Sequence, residues 1–291
     1  WLRSGNYAQS NRAATKLLRN ASLRDPAQRR LIFMQMADNY TRLGQHSSSA
    51  QSCSEARKIQ DDQTAHAMQL DQLNTGKAGA REIEPVARDY AAKHTERDDR
   101  YRGLMILVQA HLRENNANAA KTLLRNVLVH DAKTNNAAQL FVETNGTEPK
   151  QLADTERVLR DALNKNTRHA AYIRYTLAFP LYRDRLKDTE KTRGMLRELI
   201  QRSPTADGYT KAAISWLLDN AKDENEFKAD LNRILRARKE HPELPVLTSY
   251  LNDWRQSAKR NAKRKPQAKL LDTELARADA DEVIKLAAKQ N

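Results

Sequence analysis

The stretch that most constrains this chain runs from Tyr101 to Asp131, YRGLMILVQAHLRENNANAAKTLLRNVLVHD. Leu104, Leu107, Val108 and His111 recur at the three-and-four spacing that puts side chains on one helical face, and Ala120, Leu123, Leu124, Val127 and Leu128 do the same in the second half. Between them, Glu114-Asn115-Asn116 carries turn chemistry, because Asn tolerates left-handed backbone angles and hydrogen-bonds to its own main chain. The spacing predicts two short helices joined by a tight turn. Neither helix buries its stripe alone, so the pair must pack on units like itself.

Composition agrees with helices. Only 8 Gly, 8 Pro and 5% aromatic residues occur in 291, and no run of alternating β-branched residues reads as a strand, so the fold class is all-α. With 39% apolar and 30% charged residues, the chain has the makings of a real core. A formal charge of +14 points to acidic partners: nucleic acid, an anionic polysaccharide, an acidic membrane surface or an acidic protein face. Cys53 stands alone, which excludes an internal disulfide and a cysteine-based zinc site, and its small neighbours predict inert packing. No window approaches the roughly 18 consecutive apolar residues of a transmembrane segment. The chain begins at Trp1 rather than Met, so residues upstream are expected, a signal peptide or anchor among the candidates, and the compartment is not legible.

The opening hairpin has counterparts. Residues 1–22 read as half of one: a turn at Gly5-Asn6-Tyr7, then a helix with Ala13, Ala14, Leu17 and Leu18 inside. Asp25-Pro26 starts the next helix with Pro at its favoured position. From Arg30 to Gln63 a full hairpin follows, with Gly44 at the turn and Ala50, Cys53, Ala56 and Ile59 on its second stripe. Phe33, Met36, Ala37, Tyr40, Gly44, Ser49, Cys53 and Ala56 together resemble the tetratricopeptide repeat, a helix-turn-helix unit of about 34 residues. Ser49 and Cys53 depart from the usual Ala and aromatic. The same template matches Leu104, Leu107, Val108, His111, Asn115, Ala120, Leu124 and Val127, 71 residues on, which is two units.

The unit between, Thr64 to Lys93, is degenerate: Met68 to Leu73 makes a short first helix, Gly76 and Gly79 loosen the turn, and Pro85 falls in the early turns of the second helix. Ala137 to Asn166 repeats the pattern with a turn widened by Asn145-Gly146-Thr147. Arg168 to Pro204 follows with a kink predicted at Pro180, then Asp207 to Pro242. Pro204 and Pro242 match the terminal Pro of the family's unit. From Gly44 to Asn225 the turns advance 181 residues in five steps, about 36 per unit. The resemblance implies an α-solenoid, a right-handed superhelix of about six repeats over residues 1–242. Pentatricopeptide, half-tetratricopeptide and Sel1-like arrays are alternatives of the same kind. Residues 243–291 read as a capping hairpin, with Val246, Leu247, Tyr250, Leu251 and Trp254 inward on its first helix. Its last helix, Leu270 to Lys289, carries Leu271, Leu275, Ala278, Val283, Ile284 and Leu286 beside Asp272, Glu274, Asp279, Asp281 and Glu282.

No enzymatic constellation emerges. His46, His66, His94, His111, His130, His169 and His241 are scattered, with no HExxH pair and no second ligand at i+4. His111 sits at the repeat's buried Tyr position and reads as packing. Gly76-Lys77-Ala78-Gly79 is too short for a phosphate loop. Asp61-Asp62 and Asp98-Asp99 precede helices, where acids compensate the helix dipole. No catalytic residue, metal or cofactor is expected.

Binding is the better-marked class. The resemblance implies a concave groove lined by the first helix of each hairpin. There Arg42, Arg113 and Arg185 occupy one equivalent position, and Gln109 another groove-facing one. Such a row suits an acidic peptide, a partner protein, or a polymer of phosphates or carboxylates, because Arg binds these bidentately. Arg near a helix C-terminus also simply favours the dipole. The Lys and Asn pairing of chaperone-type carboxylate clamps is not evident. From Arg255 to Lys269 lie seven Lys or Arg and no acid. Arg255, Lys259 and Lys263, four apart on one face, together with Arg264, form a second candidate surface for RNA or an anionic polysaccharide. The run lacks interleaved aromatics for base stacking, and its charges equally complement the acidic last helix. Two readings therefore stand: a scaffold that captures a peptide or partner protein, and a helical-repeat binder of a polyanion.

Overall fold

The computed structural model describes all residues except 1–5, 21–22, 96–99, 132, 134–135, 166–167, 205–206, 242–244 and 291, and only the backbone of 207, 245–246 and 280–290. The expectations for Asp98-Asp99, Pro242 and the side chains of Val246, Asp281, Glu282, Val283, Ile284 and Leu286 lie outside the described residues. Every regular element among the described residues is helical, as composition requires, and the chain divides into two compact units, Trp1–Gly146 and Thr147–Asn291. That division falls inside the hairpin expected from Ala137 to Asn166.

The first unit holds α1 (Tyr7–Arg19), α2 (Pro26–Arg42), α3 (His46–Ile59), α4 (Gln63–Thr75), α5 (Ala80–Lys93), α6 (Arg102–Arg113), α7 (Ala117–Asp131) and α8 (Ala137–Thr144), each packed on the next. Asp25 caps α2, accepting from Ala27 N at 3.0 Å, with Pro26 in the first turn. Three turns in this unit close identically. At Gly44 the chain turns left-handed with φ +68°, Gly44 N donates to Thr41 O at 3.0 Å, and Gln45 N donates to Tyr40 O at 2.8 Å. Asn115, with φ 58°, repeats it: Asn115 N to Leu112 O at 3.1 Å and Asn116 N to His111 O at 2.8 Å. Lys77, with φ 55°, is the third, bonding to Asn74 O at 3.0 Å while Ala78 N reaches Leu73 O at 2.9 Å.

The degenerate unit thus turns on Lys77, not on the glycines beside it. Gly79 serves close approach instead: a Cβ there would stand 2.9 Å from Glu114 Oε1, which accepts from Ala80 N at 2.8 Å. Its first helix is also longer than Met68 to Leu73. The core of the unit is the predicted one, with Ala37, Cys53, Ala56, Leu107, Val108, Leu124, Val127 and Leu128 fully buried. Burial pushes the Cys53 thiol up to about 12, so the thiol is inert at neutral pH. In α1 the expected inward face is wrong at Leu17, which is 49% exposed. The helix instead buries Asn11, whose Oδ1 accepts from the buried Asn39 Nδ2 at 2.9 Å.

The second unit holds α9 (Pro149–Lys165), α10 (Ala170–Thr176) running on into a π-helical segment (Leu177–Arg185), then α11 (Thr189–Arg202), α12 (Asp207–Asp219), α13 (Glu224–Glu240), α14 (Pro245–Arg260) and α15 (Lys265–Gln290). The kink expected at Pro180 takes the form of that π segment, where wider hydrogen-bonded rings accommodate a residue with no N–H. The exit is also left-handed, Lys187 having φ 55°, but closes one residue wider, with Asp188 N donating to Tyr182 O at 2.8 Å. Between α11 and α13 lies a buried ion pair. Arg193 and Asp230 are both 0% exposed, and Arg197 Nε reaches the other Asp230 oxygen at 2.5 Å. Arg193 also donates to the Asn220 carbonyl, and its guanidinium lies 5.5 Å from the centre of the Trp216 ring.

Candidate functional site

The three arginines of the expected row share a local position. Arg42 closes α2, Arg113 closes α6 and Arg185 closes the π segment. Arg42 is held by Asp38 one turn back at 2.9 Å and lies over the Tyr7 ring at 5.4 Å. Its charge is thus half-engaged on an exposed surface. Arg113 donates to Asn74 Oδ1 at 2.8 Å and to the Ala78 carbonyl at 3.2 Å, while Asn74 Nδ2 reaches Gln109 Oε1 at 3.4 Å. The fold therefore brings Gln109 and Arg113 together around Asn74, one hairpin back. Arg185 lies in the second unit, half-buried, with no hydrogen-bond or ion-pair partner among the described residues.

The basic run is divided by the fold. Arg255 and Lys259 both reach Asp272 on α15, at 2.5 and 3.0 Å, and Arg264 reaches Asp219 on α12 at 3.1 Å. Asp219 also accepts from Trp254 Nε1 at 2.8 Å. Three of the four residues expected to hold a polyanion thus tie α14 and α15 into the unit, and Lys263 alone of them is exposed with no side-chain partner among the described residues. Arg260, Lys265 and Lys269, which the four-residue spacing passes over, are likewise exposed with no side-chain partner among the described residues. Near this corner lies a cavity of about 480 Å³, lined by Phe227, Leu270, Gln267, Thr273, Lys222 and Lys269 among others. Lys222 is bound there to Glu190, and Asp223 caps α13 through Glu226 N at 2.8 Å.

Sequence spacing missed the densest cluster of titratable groups in the first unit. Asp61 in the α3–α4 loop, the fully buried His66 on α4 and Asp89 on α5 bring one ring nitrogen and two carboxylate oxygens within 4.8 Å of one another. His66 Nε2 donates to the Val86 carbonyl at 3.0 Å, leaving Nδ1 as a lone pair 3.7 Å from Asp61 Oδ1. The rings of Tyr90 and His94 close the third side, their centroids 5.0 and 5.3 Å from that of His66. In isolation, Asp, His and Asp are a metal-ligand set.

The surroundings assign the cluster otherwise. Arg57 donates from Nε to Asp61 at 2.7 Å and from its terminal nitrogen to Asp89 at 2.5 Å, and Lys93 bonds both carboxylates. Two cations already balance two anions, so a divalent ion there would meet a guanidinium at close range. The hydrogen bond from Arg57 holds Asp61 well below the usual carboxylate range, against the upward push of burial. Burial likewise pushes Asp89 up, but hydrogen bonds from Lys93 and Arg57 outweigh it and hold that carboxyl low. Burial and the Arg57 charge bring His66 down to about 4, so its ring is neutral at physiological pH. This is a charge-balanced brace joining α3, α4 and α5.

The signal for it was present. Arg57 and Asp89 stand 32 residues apart, as do Asp61 and Lys93, Arg30 and Asp62, and Lys222 and Glu190. In each of these four pairs, opposite charges about one hairpin apart in sequence meet. No family model matches the chain, and no curated protein matches it.

Proposed function

We propose that this chain is a non-enzymatic scaffold: a tetratricopeptide-like array of helical hairpins whose first helices form the face that holds a peptide or partner protein of acidic character. The observation that carries this reading is the recurrence of one left-handed turn at Gly44, Lys77 and Asn115, with lateral hydrogen bonds and ion pairs about one hairpin apart in sequence. Stacked like units bury a shared core and leave one side of each helix pair for a ligand. Each unit by itself supplies guanidinium groups suited to carboxylates at the last residue of a helix, Arg42 and Arg113 in the first and Arg185 in the second. The two carboxylates of the Asp61, His66 and Asp89 cluster are engaged in ion pairs with Arg57 and Lys93, which suits a structural role.

The test is selection of peptides from a random displayed library on the purified chain, followed by calorimetric titration. An Arg42→Ala, Arg113→Ala, Arg185→Ala triple variant is expected to bind the selected acidic peptides at least tenfold more weakly, because each guanidinium–carboxylate contact contributes about 1 kcal/mol or more. Unchanged affinity in the triple variant, or failure to select any acidic sequence, overturns the groove assignment. A second reading, polyanion binding, is favoured by four cations where α14 meets α15 that have no side-chain partner among the described residues.

A further inference from the structure

We infer that the corner between α14 and α15 is a docking surface for the phosphate backbone of a nucleic-acid duplex, carried by Arg260, Lys263, Lys265 and Lys269. These four cations fall within ten residues, are all exposed, and have no hydrogen-bond or ion-pair partner for their side chains among the described residues. The acids near the corner are already used: Asp272 by Arg255 and Lys259, Asp219 by Arg264, Asp253 by Lys211, Glu224 by Lys228, and Asp223, which lines the cavity beside Lys269, as the cap of α13. The fold therefore neutralises the inner half of the basic run and presents the outer half. Lys265 and Lys269 also stand in the first turns of α15, which has no acid in its first turn. Cations there oppose the helix dipole, so the helix itself gains nothing from their placement.

The chemistry of the corner selects among anionic partners. Ala262 and Pro266 are the only apolar residues exposed between the cations, so nothing is present to insert into a lipid interface. No aromatic side chain stands among them to stack on unpaired bases. Both absences favour contact to a regular array of phosphates, without sequence preference, which a duplex presents at one charge per about 1.7 Å of its axis. This inference does not depend on the scaffold reading, since it uses other residues in the second unit.

The experiment is fluorescence anisotropy of a labelled 20-base-pair DNA duplex against the full chain from 50 to 200 mM salt. Four phosphate contacts predict a log–log slope of about −3.6, an affinity loss of roughly 150-fold across that range. The variant R260Q/K263Q/K265Q/K269Q is expected to flatten that slope towards zero. The charge-matched control R81Q/K121Q/K150Q/R233Q, altered at surface positions elsewhere, is expected to keep it. Circular dichroism verifies that both fold. Equal losses in the two variants would show attraction to net charge alone and overturn the proposal. So would binding to phosphatidylserine vesicles, or to polyglutamate, that falls in the corner variant while duplex binding does not.

Discussion

Lowering the pH from 7 to 5 is expected to destabilise the first unit chiefly through one side chain. His66 is 0% exposed, and burial together with the Arg57 charge brings its pKa from 6.5 down to about 4. Because the folded value lies below the unfolded one, the stability His66 permits is complete above about pH 6.5 and is lost as pH falls towards 4. Proton linkage over that interval removes about 2 kcal/mol between pH 7 and pH 5, and about 3 kcal/mol by pH 4. The groups facing the ring do not mask this: Asp61 and Asp89 are held below their ordinary range and stay ionised, and Arg57 and Lys93 stay charged. Urea unfolding followed by circular dichroism at pH 7, 6 and 5 measures the loss, and His66→Phe removes the titrating group while keeping a ring among Tyr90 and His94. The variant is expected to lose about 2 kcal/mol less than the wild type across the same steps, whatever its stability at pH 7. If both chains weaken equally, the neutral buried imidazole is not the group responsible and the reasoning fails.

Two further perturbations probe the packing. Leu107, fully buried on α6, is expected to cost about 2–5 kcal/mol on change to Ala, measured by urea unfolding; a cost under about 1 kcal/mol would show that the α6 face is not core. Asp230→Ala leaves the buried Arg193 with Glu226, at 3.1 Å, as its one remaining carboxylate and takes the carboxylate from Arg197, and is expected to destabilise the second unit by about 2–4 kcal/mol. The double change Arg193→Met, Asp230→Ala should recover much of that loss, and a double variant no better than the single would contradict the buried-pair account.

The helices themselves were legible because their stripes are long and periodic, and Gly44 and Asn115 were legible as turns because Gly and Asn carry a left-handed signature. Lys77 and Lys187 adopt the same backbone without it, so the neighbouring glycines misdirect the reading at one turn and nothing marks the other. Pro180 announced an interruption but not its form, since a missing N–H is compatible with a kink, a break or a π segment. At Asp61-Asp62 the dipole argument holds for Asp62, which caps α4 by accepting from Ala65 N at 2.9 Å. Asp61 turns away to Arg57 and Lys93, a choice made by tertiary packing. The basic run shows the same limit: its charge was plain, but which cations remain free depends on where Asp272 and Asp219 arrive.

The central claim, that the first helices of the hairpins form the ligand face, is tested most directly by photo-crosslinking a selected acidic peptide to the chain. A benzophenone amino acid placed at Gln109 on α6 is expected to crosslink the peptide efficiently, and the same probe at Arg125, exposed on α7, to give none. Crosslinking from Arg125 and not from Gln109 would place the ligand on the opposite side of the hairpin and contradict the account.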